Sequence, residues 1–454
     1  MHKTITPRLI PALLAIAFSG GAAASGFQLI EQNASGIGNA YAGSAAVAEN
    51  ASTIFYNPAG MTQLKDREVS LGIAAVRPIF TFHDSGRSVG LPGGEGGDAG
   101  HLALLPNAYL SWRLSEQWYA GLGFGAPFGL MTEYDDPWTG GAQSNKFDIK
   151  TYNINPSLAW KVNEQVSLGM GLNWQRIEAE YRRTAAVGLG VPGAALGPLA
   201  PLAPAINGAL PNTTMKLKAD DNAWSWNVGA LFSITPDTRI GVSYRSRIRY
   251  QMSGKVTTSG ALLGVPVVGA MVPASVPAKL NVDLPDAFIL SGAHQLNERW
   301  QLLADVSWTG WSCIPRIDIK SNGATLQTLN TDFKDTWRVA LGANYQVNDA
   351  WKWKVGVAYD QTPIKRAETR LASLPDNDRV WLSTGVQWKV TKDSALDLGV
   401  AYLYLKDARI RNDQRYDPAT GKPSLAGLPV SYGSLDGYYK DSVWIVGVQY
   451  SASF

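Results

Sequence analysis

The sequence gives a catalyst little to work with. Four histidines and one cysteine are spread over 454 residues, so any nucleophile–base pair or metal centre must be built from very few side chains. Ser291 and His294 are the pair near enough to suggest lipid hydrolysis, with a serine hydroxyl activated by an imidazole. On an extended strand, however, residues three apart point to opposite faces. His83 and His101 fall in a glycine-rich stretch and read as solvated, and Cys313 reads as an incidental buried thiol with no disulfide partner. No metal-ligand cluster and no phosphate-binding loop can be read from the sequence, which predicts no enzyme, no metal and no cofactor.

Binding of something apolar is the better prospect. Between Arg183 and Lys216 lie 32 residues without a charge, and between Lys255 and Lys279 another 23. Their repeated prolines and glycines argue against membrane helices. Loops that face water are normally polar, so a pair of apolar loops implies mutual packing or a surface that receives an apolar ligand. Two further stretches break every regular period. "SGIGNAYAGSAAVAENASTIFYNPAG", Ser35 to Gly60, repeats at neither 3.6 nor 2 residues and ends on Asn57-Pro58-Ala59-Gly60. In "GLGFGAPFGLMTEY" an alternating run is interrupted by Gly125, Pro127 and Gly129, and a proline removes a ladder donor that a central strand needs.

The elements that must position these features are strands. In "RIGVSYRSRIRY" the even positions Ile240, Val242, Tyr244, Ser246, Ile248 and Tyr250 alternate with Arg239, Arg245, Arg247 and Arg249. That spacing predicts one greasy and one cationic face. The last run, "VWIVGVQYSASF", sets Trp444, Val446, Val448, Tyr450 and Phe454 on one side, and a terminal aromatic in register with the apolar face is how outer-membrane barrels close. Fourteen such segments occur from residue 68 to the end, an even number as a bacterial barrel requires. They are joined alternately by six short polar turns and seven long connections. No run of 18 purely apolar residues follows the N-terminal one, while 16 Trp and 18 Tyr suit an interfacial aromatic belt.

The N-terminus has basic residues, an apolar run from Leu9 to Phe18 and a small-residue tail. This is the order of a secretory signal over 1–24, with Ala22 and Ala24 at the cleavage positions. Without Lys3 and Arg8, 38 basic side chains face 37 acidic ones, a balance that excludes an electrostatic nucleic-acid binder. The expected organisation is a signal at 1–24, a lumenal segment at 25–67, and a barrel at 68–454 with long apolar loops at 184–221 and 257–282.

At this point the chain resembles the FadL family of outer-membrane transporters for long-chain fatty acids and other hydrophobic compounds, including its TodX-like members. The blocks that carry the likeness are "GFQLIEQNASGIGNAYAGSAAVAENASTIFYNPAG", "FGLMTEYDDPW", "GMGLNW", "YRSRIRY", "FKDTWRVALGANY" and "DNDRVWLSTG". The resemblance implies an all-β, 14-stranded antiparallel transmembrane barrel in a Gram-negative outer membrane, acting as a monomer among outer-membrane lipid. The segment holding Phe27, Asn57, Pro58 and Ala59 would fold back into the lumen as a hatch. A kink at Gly129, with Gly125 and Pro127, would open the wall near Phe27 for lateral exit. Aligned on "GMGLN", Arg183 takes the place of a residue that contacts the ligand carboxylate. The family's second cation is missing, because Asn322 to Asp332 holds no basic residue. This departure leaves neutral aromatic or aliphatic hydrocarbons open as cargo beside fatty acids. A general aqueous porin is the remaining alternative.

Overall fold

The computed structural model describes residues 26–191, 193–415 and 424–454; the expected signal segment lies outside them. Alternation becomes architecture in the last strand. In Ser434–Ser453 the residues Trp444, Val446, Val448 and Tyr450 point outward and stay exposed, while Val443 and Ile445 between them are fully buried. The same outward apolar row recurs on neighbouring strands, including Leu398 and Val400, Trp337 and Leu341, and Leu168 and Met170. A continuous exposed apolar belt of this extent is stable only against hydrocarbon.

Fourteen wall strands form one closed antiparallel sheet. They are β1 (Arg67–Asp84), β2 (Ala103–Arg113), β3 (Trp118–Gly125, resuming as Gly129–Glu133), β4 (Lys146–Lys161), β5 (Val166–Thr184), β6 (Thr213–Thr235) and β7 (Thr238–Arg245, resuming as Ile248–Gly260). There follow β8 (Ser275–Leu284, resuming as Ala287–Gln295), β9 (Trp300–Thr309), β10 (Thr336–Gln346), β11 (Trp351–Asp360), β12 (Arg379–Thr391), β13 (Ser394–Leu405, resuming as Ala408–Asp413) and β14 (Ser434–Ser453). Each pairs with its sequence neighbour, and β14 returns to β1 from Glu68–Ser453 to Asp84–Gly437, which leaves no open edge.

At the short-turn end Trp118 stacks on Trp160 and Trp351 on Trp388, both at 5.8 Å. Trp224, Trp226, Tyr244 and Trp444 mark the other rim of the apolar belt. A spanning strand needs about 9–11 residues. β6 has 23, so the wall continues well past the membrane.

Several boundaries differ from the alternation reading. β6 starts at Thr213 and β8 at Ser275, so the two apolar loops shrink to 185–212 and 261–274. They pack on each other and on the connection between β13 and β14: Ile206, Leu210, Leu262, Val268 and Val272 share one apolar cluster with Leu428 and Val430. The connection after β9 carries a hairpin, Arg316–Ser321 with Ala324–Asn330. His83 belongs to the end of β1, not to the glycine-rich loop, and lies 3.6 Å from Glu95. Among the described residues no helix is long and apolar enough to cross a membrane.

Candidate functional site

Residues 26–64 lie inside the barrel and are tied to strands around its circumference. Ala34 N donates to Gln449 Oε1 on β14, Asn39 Nδ2 to Asn344 Oδ1 on β10, Ala45 N to Ser291 Oγ on β8, and Thr62 Oγ1 to Ser167 Oγ on β5. An irregular backbone seats this closely only where the wall has no side chain. A Cβ on Gly241 would stand 1.9 Å from Ala45 O, and one on Gly356 2.1 Å from the Asn39 carbonyl carbon.

The Asn-Pro-Ala-Gly sequence is the clasp of this segment. Asn57 accepts from Ala59 N and donates to Ala45 O at 2.8 Å and to Ala230 O of β6 at 2.9 Å, while Pro58 opens a short 3-10 turn. A second clasp is ionic. Glu49 lies 2.6 Å from Lys352 and 2.7 Å from Lys354, and Lys354 also reaches Asp397 at 2.9 Å. Burial opposes charge on Glu49, but the two lysines outweigh it and hold the carboxyl well below its ordinary range.

The break at Gly125, Pro127 and Gly129 is a window between β2 and β3. Ladder pairing stops at Ala108–Phe124 and resumes at a single bridge, Gly100–Thr132, with eight residue steps along each side, so register is kept across the opening. Toward β4 the same stretch is a bulge, four steps from Gly125 to Gly129 against three from Asn153 to Lys150.

The N-terminal segment stands in for the missing partner. Leu29 N donates to Pro127 O at 2.8 Å, Gly129 N to Phe27 O at 2.9 Å, and the Gln32 side chain holds both backbone groups of Ala126. The carbonyls of Ala126 and Pro127 at the interrupted ladder are thus satisfied from the lumen. Phe27 packs against Trp311 at 4.9 Å and Phe128 at 6.1 Å. Gly26 N donates to Asp376 in the loop 361–378, which folds inward.

Above Phe27 lies an apolar cavity bounded by Phe27, Ile149, Ile177, Met252, Leu280 and Leu374 among others. Tyr181, Leu217 and Ile319 carry its lining on to Arg183. Arg183 is 3% exposed at the end of its strand. Its Nε donates to Gln327 Oε1 at 2.9 Å, its Nη1 to the carbonyls of Thr184 and Ala185, and its guanidinium lies 4.3 Å over the Tyr432 ring. No carboxylate of the described residues pairs with it. A buried cation held only by neutral acceptors is poised for an anion.

Sequence reasoning missed Gln327 and Tyr432. Gln327 falls inside the segment searched for a lysine, and a polar side chain there was the available signal. Lys354 was also missed, though it is an inward lysine followed by Gly356 and Ala358, which leave it room. Ser291 and His294 do face opposite sides: Ser291 points inward to Asp305 at 2.7 Å and His294 outward. Cys313 is half-buried, with its thiol directed at the Asp283 carbonyl.

Three comparisons bear on this geometry. A family model described as outer membrane protein transport protein (OMPP1/FadL/TodX) matches residues 15–454. A long-chain fatty acid transport protein of Salmonella typhi is 30% identical over 439 residues, covering 95% of this chain and 99% of that protein. A 47 kDa outer membrane protein of Pasteurella multocida is 32% identical over 442 residues, covering 95% and 100%. A FadL homologue of Pseudomonas aeruginosa superposes with a TM-score of 0.80 at 25% identity over 94% of this chain and all of that one. The P. putida toluene transporter TodX superposes at 0.63 with 18% identity over 89% and 94%, a likeness of fold.

Proposed function

The chain belongs to the OMPP1/FadL/TodX family of outer membrane transport proteins, and from that premise we propose that it passes long-chain fatty acids or related hydrophobic compounds inward across the outer membrane by diffusion. Cargo collects on the packed apolar loops and enters the cavity with its head at Arg183. It leaves through the β2–β3 window when the segment around Phe27 yields, while the Asn57 and Glu49 clasps keep the lumen shut. A dry path suits such cargo: at about 0.8 kcal/mol per methylene, a tail of about 16 carbons strongly resists an aqueous lumen.

The observation that carries the carboxylate reading is Arg183, buried at the end of an apolar cavity without a counter-ion. Arg183→Ala is expected to weaken fatty-acid binding by about 1.5–3 kcal/mol, the range for hydrogen bonds to a charged group. A fatty alcohol of the same length should be far less affected. Equilibrium binding of the two ligands to the purified variant measures this. Equal affinity of wild type and variant for the acid, beside tight binding of toluene-like probes, would reject the role. That result would favour the second reading, neutral hydrocarbons, for which Gln327 in place of a second cation is the supporting observation. An open aqueous porin is disfavoured because the lumen is filled by residues 26–64.

A further inference from the structure

We propose that Arg245 and the buried amides beside it form a second head-group site, below the apolar cavity, which receives the carboxylate of the cargo as it leaves Arg183; this rests on the fatty-acid reading above. Below the cavity the inner wall changes character. On β5 the inward residue Ile177 lines the cavity, and the next inward positions are Gln175 and Asn173. On β6 the inward row passes from Leu217 to Ser225 and Asn227. Pairings Asn173–Ser225 and Asn227–Arg245 set these residues side by side on β5, β6 and β7.

Arg245 is a lumenal cation held only by neutral groups. It donates to Asn173 Oδ1 and, at 2.9 Å, to Phe55 O, and its guanidinium lies 4.3 Å over the Phe55 ring. No carboxylate of the described residues pairs with it. Besides the amide oxygens of Asn153 and Asn155, the hydroxyls of Ser157 and Ser225 and the amide nitrogen of Asn227 on the preceding strands have no hydrogen-bond partner, in residues that are 8%, 6% and 1% exposed. Both hydroxyls and the amide nitrogen are able to donate.

Buried donors of native proteins have acceptors, and a cation beside three unfilled donors asks for an anionic oxygen group. Gly171 lets these side chains close in over β5, since an added Cβ would come within 2.6 Å of Asn155, Asn227 and Ser157. Phe55 belongs to the lumenal segment that ends in the Asn57 clasp, so a head group at Arg245 would sit against the hatch itself.

The test compares palmitate with methyl palmitate, which share a tail and differ in charge, on the full-length protein in detergent. Asn173→Asp places an internal carboxylate on Arg245 without removing its bond to Phe55. In the Arg183→Ala background a residual preference for palmitate over the ester is expected. Adding Asn173→Asp should abolish that preference, a loss of roughly tenfold in palmitate affinity, and leave ester binding unchanged. Unchanged ester binding also certifies the fold, and Arg183→Ala/Arg245→Gln should give the same pattern. A preference that survives both double variants overturns the Arg245 site while leaving the function intact. A wild type that does not distinguish palmitate from its ester overturns the head-group reading of both sites.

Discussion

Deletion of Ser35 to Ala59 is expected to leave a barrel that still resists denaturation in detergent but conducts small ions in planar bilayers, where the intact protein does not. The wall ladder closes on itself from β1 to β14 without help from the lumen, and its resistance to unfolding resides in those ladders. What the deletion removes is the filling. A 14-strand ring encloses more space than its own side chains occupy, and the deleted stretch carries the contacts of Ala45, Glu49 and Asn57 with the wall.

A graded version follows from the ionic clasp. Glu49→Gln leaves Lys352 without its acid and Lys354 with Asp397 alone; because Glu49 is only partly buried, the cost falls below the about 3–5 kcal/mol of a fully buried pair. Intermittent openings should therefore appear in that variant. In the wild type the lowered Glu49 stabilises the clasp fully above its unfolded value and releases it only as pH falls through the folded one. The wild-type channel should accordingly stay shut at about pH 4, where free glutamates titrate. Equal, negligible conductance before and after the deletion would mean that the segment does not plug the lumen.

The barrel was legible in the sequence because lipid outside and lumen inside impose a period of two on every strand, and Trp444, Val446 and Val448 display it without interruption. The upper wall was less legible. Along Arg239–Tyr250 the types alternate smoothly, yet the faces do not. Arg245 points inward, whereas Arg249 points outward and Ile248 and Tyr250 are buried in the lumen. Two reversals cancel. Above the apolar belt the outer face meets water and the inner face meets apolar cargo space, so polarity inverts. A one-residue bulge at Ser246–Arg247 inverts the faces as well, with eight steps from Arg245 to Ser253 against seven from Asn227 to Asp220. An unbroken pattern of types thus conceals a change of side.

The site was half legible for a related reason. Gly125, Pro127 and Gly129 announce a broken ladder, but the partners that repair it lie about 100 residues away in sequence, at Phe27, Leu29 and Gln32. Arg183 was visible as a cation. Its burial was not, since that depends on Gln327 and Tyr432, which arrive from two other loops.

Pro127→Val with Gly129→Val is expected to produce a barrel at least as stable as the wild type in which uptake of hydrophobic cargo falls sharply. The N and O atoms of residues 127 and 129 point to the β2 side, because Pro127 O and Gly129 N are the ones taken by Leu29 and Phe27, while Phe128 pairs with Thr151 of β4. The missing proline donor is therefore missing from the β2–β3 seam. Register is the same below the window at Ala108–Phe124 and above it at Gly100–Thr132. Residues 125–131 could thus pair with 101–107 if they had donors and strand-forming side chains. Valine supplies both at position 127 and restricts the backbone to the extended form at 129.

Closing the seam would satisfy with the wall itself what the N-terminal segment now satisfies, so the wall gains ladder bonds. The bulge toward β4 is untouched, since it is a mismatch with Asn153–Lys150 and not with β2. Cargo that enters the cavity would then find no gap in the wall and would remain bound. The measurement is cellular uptake of a labelled fatty acid against binding by the purified variant: binding should persist while uptake collapses. Normal uptake by a correctly folded double variant would rule out exit at this strand.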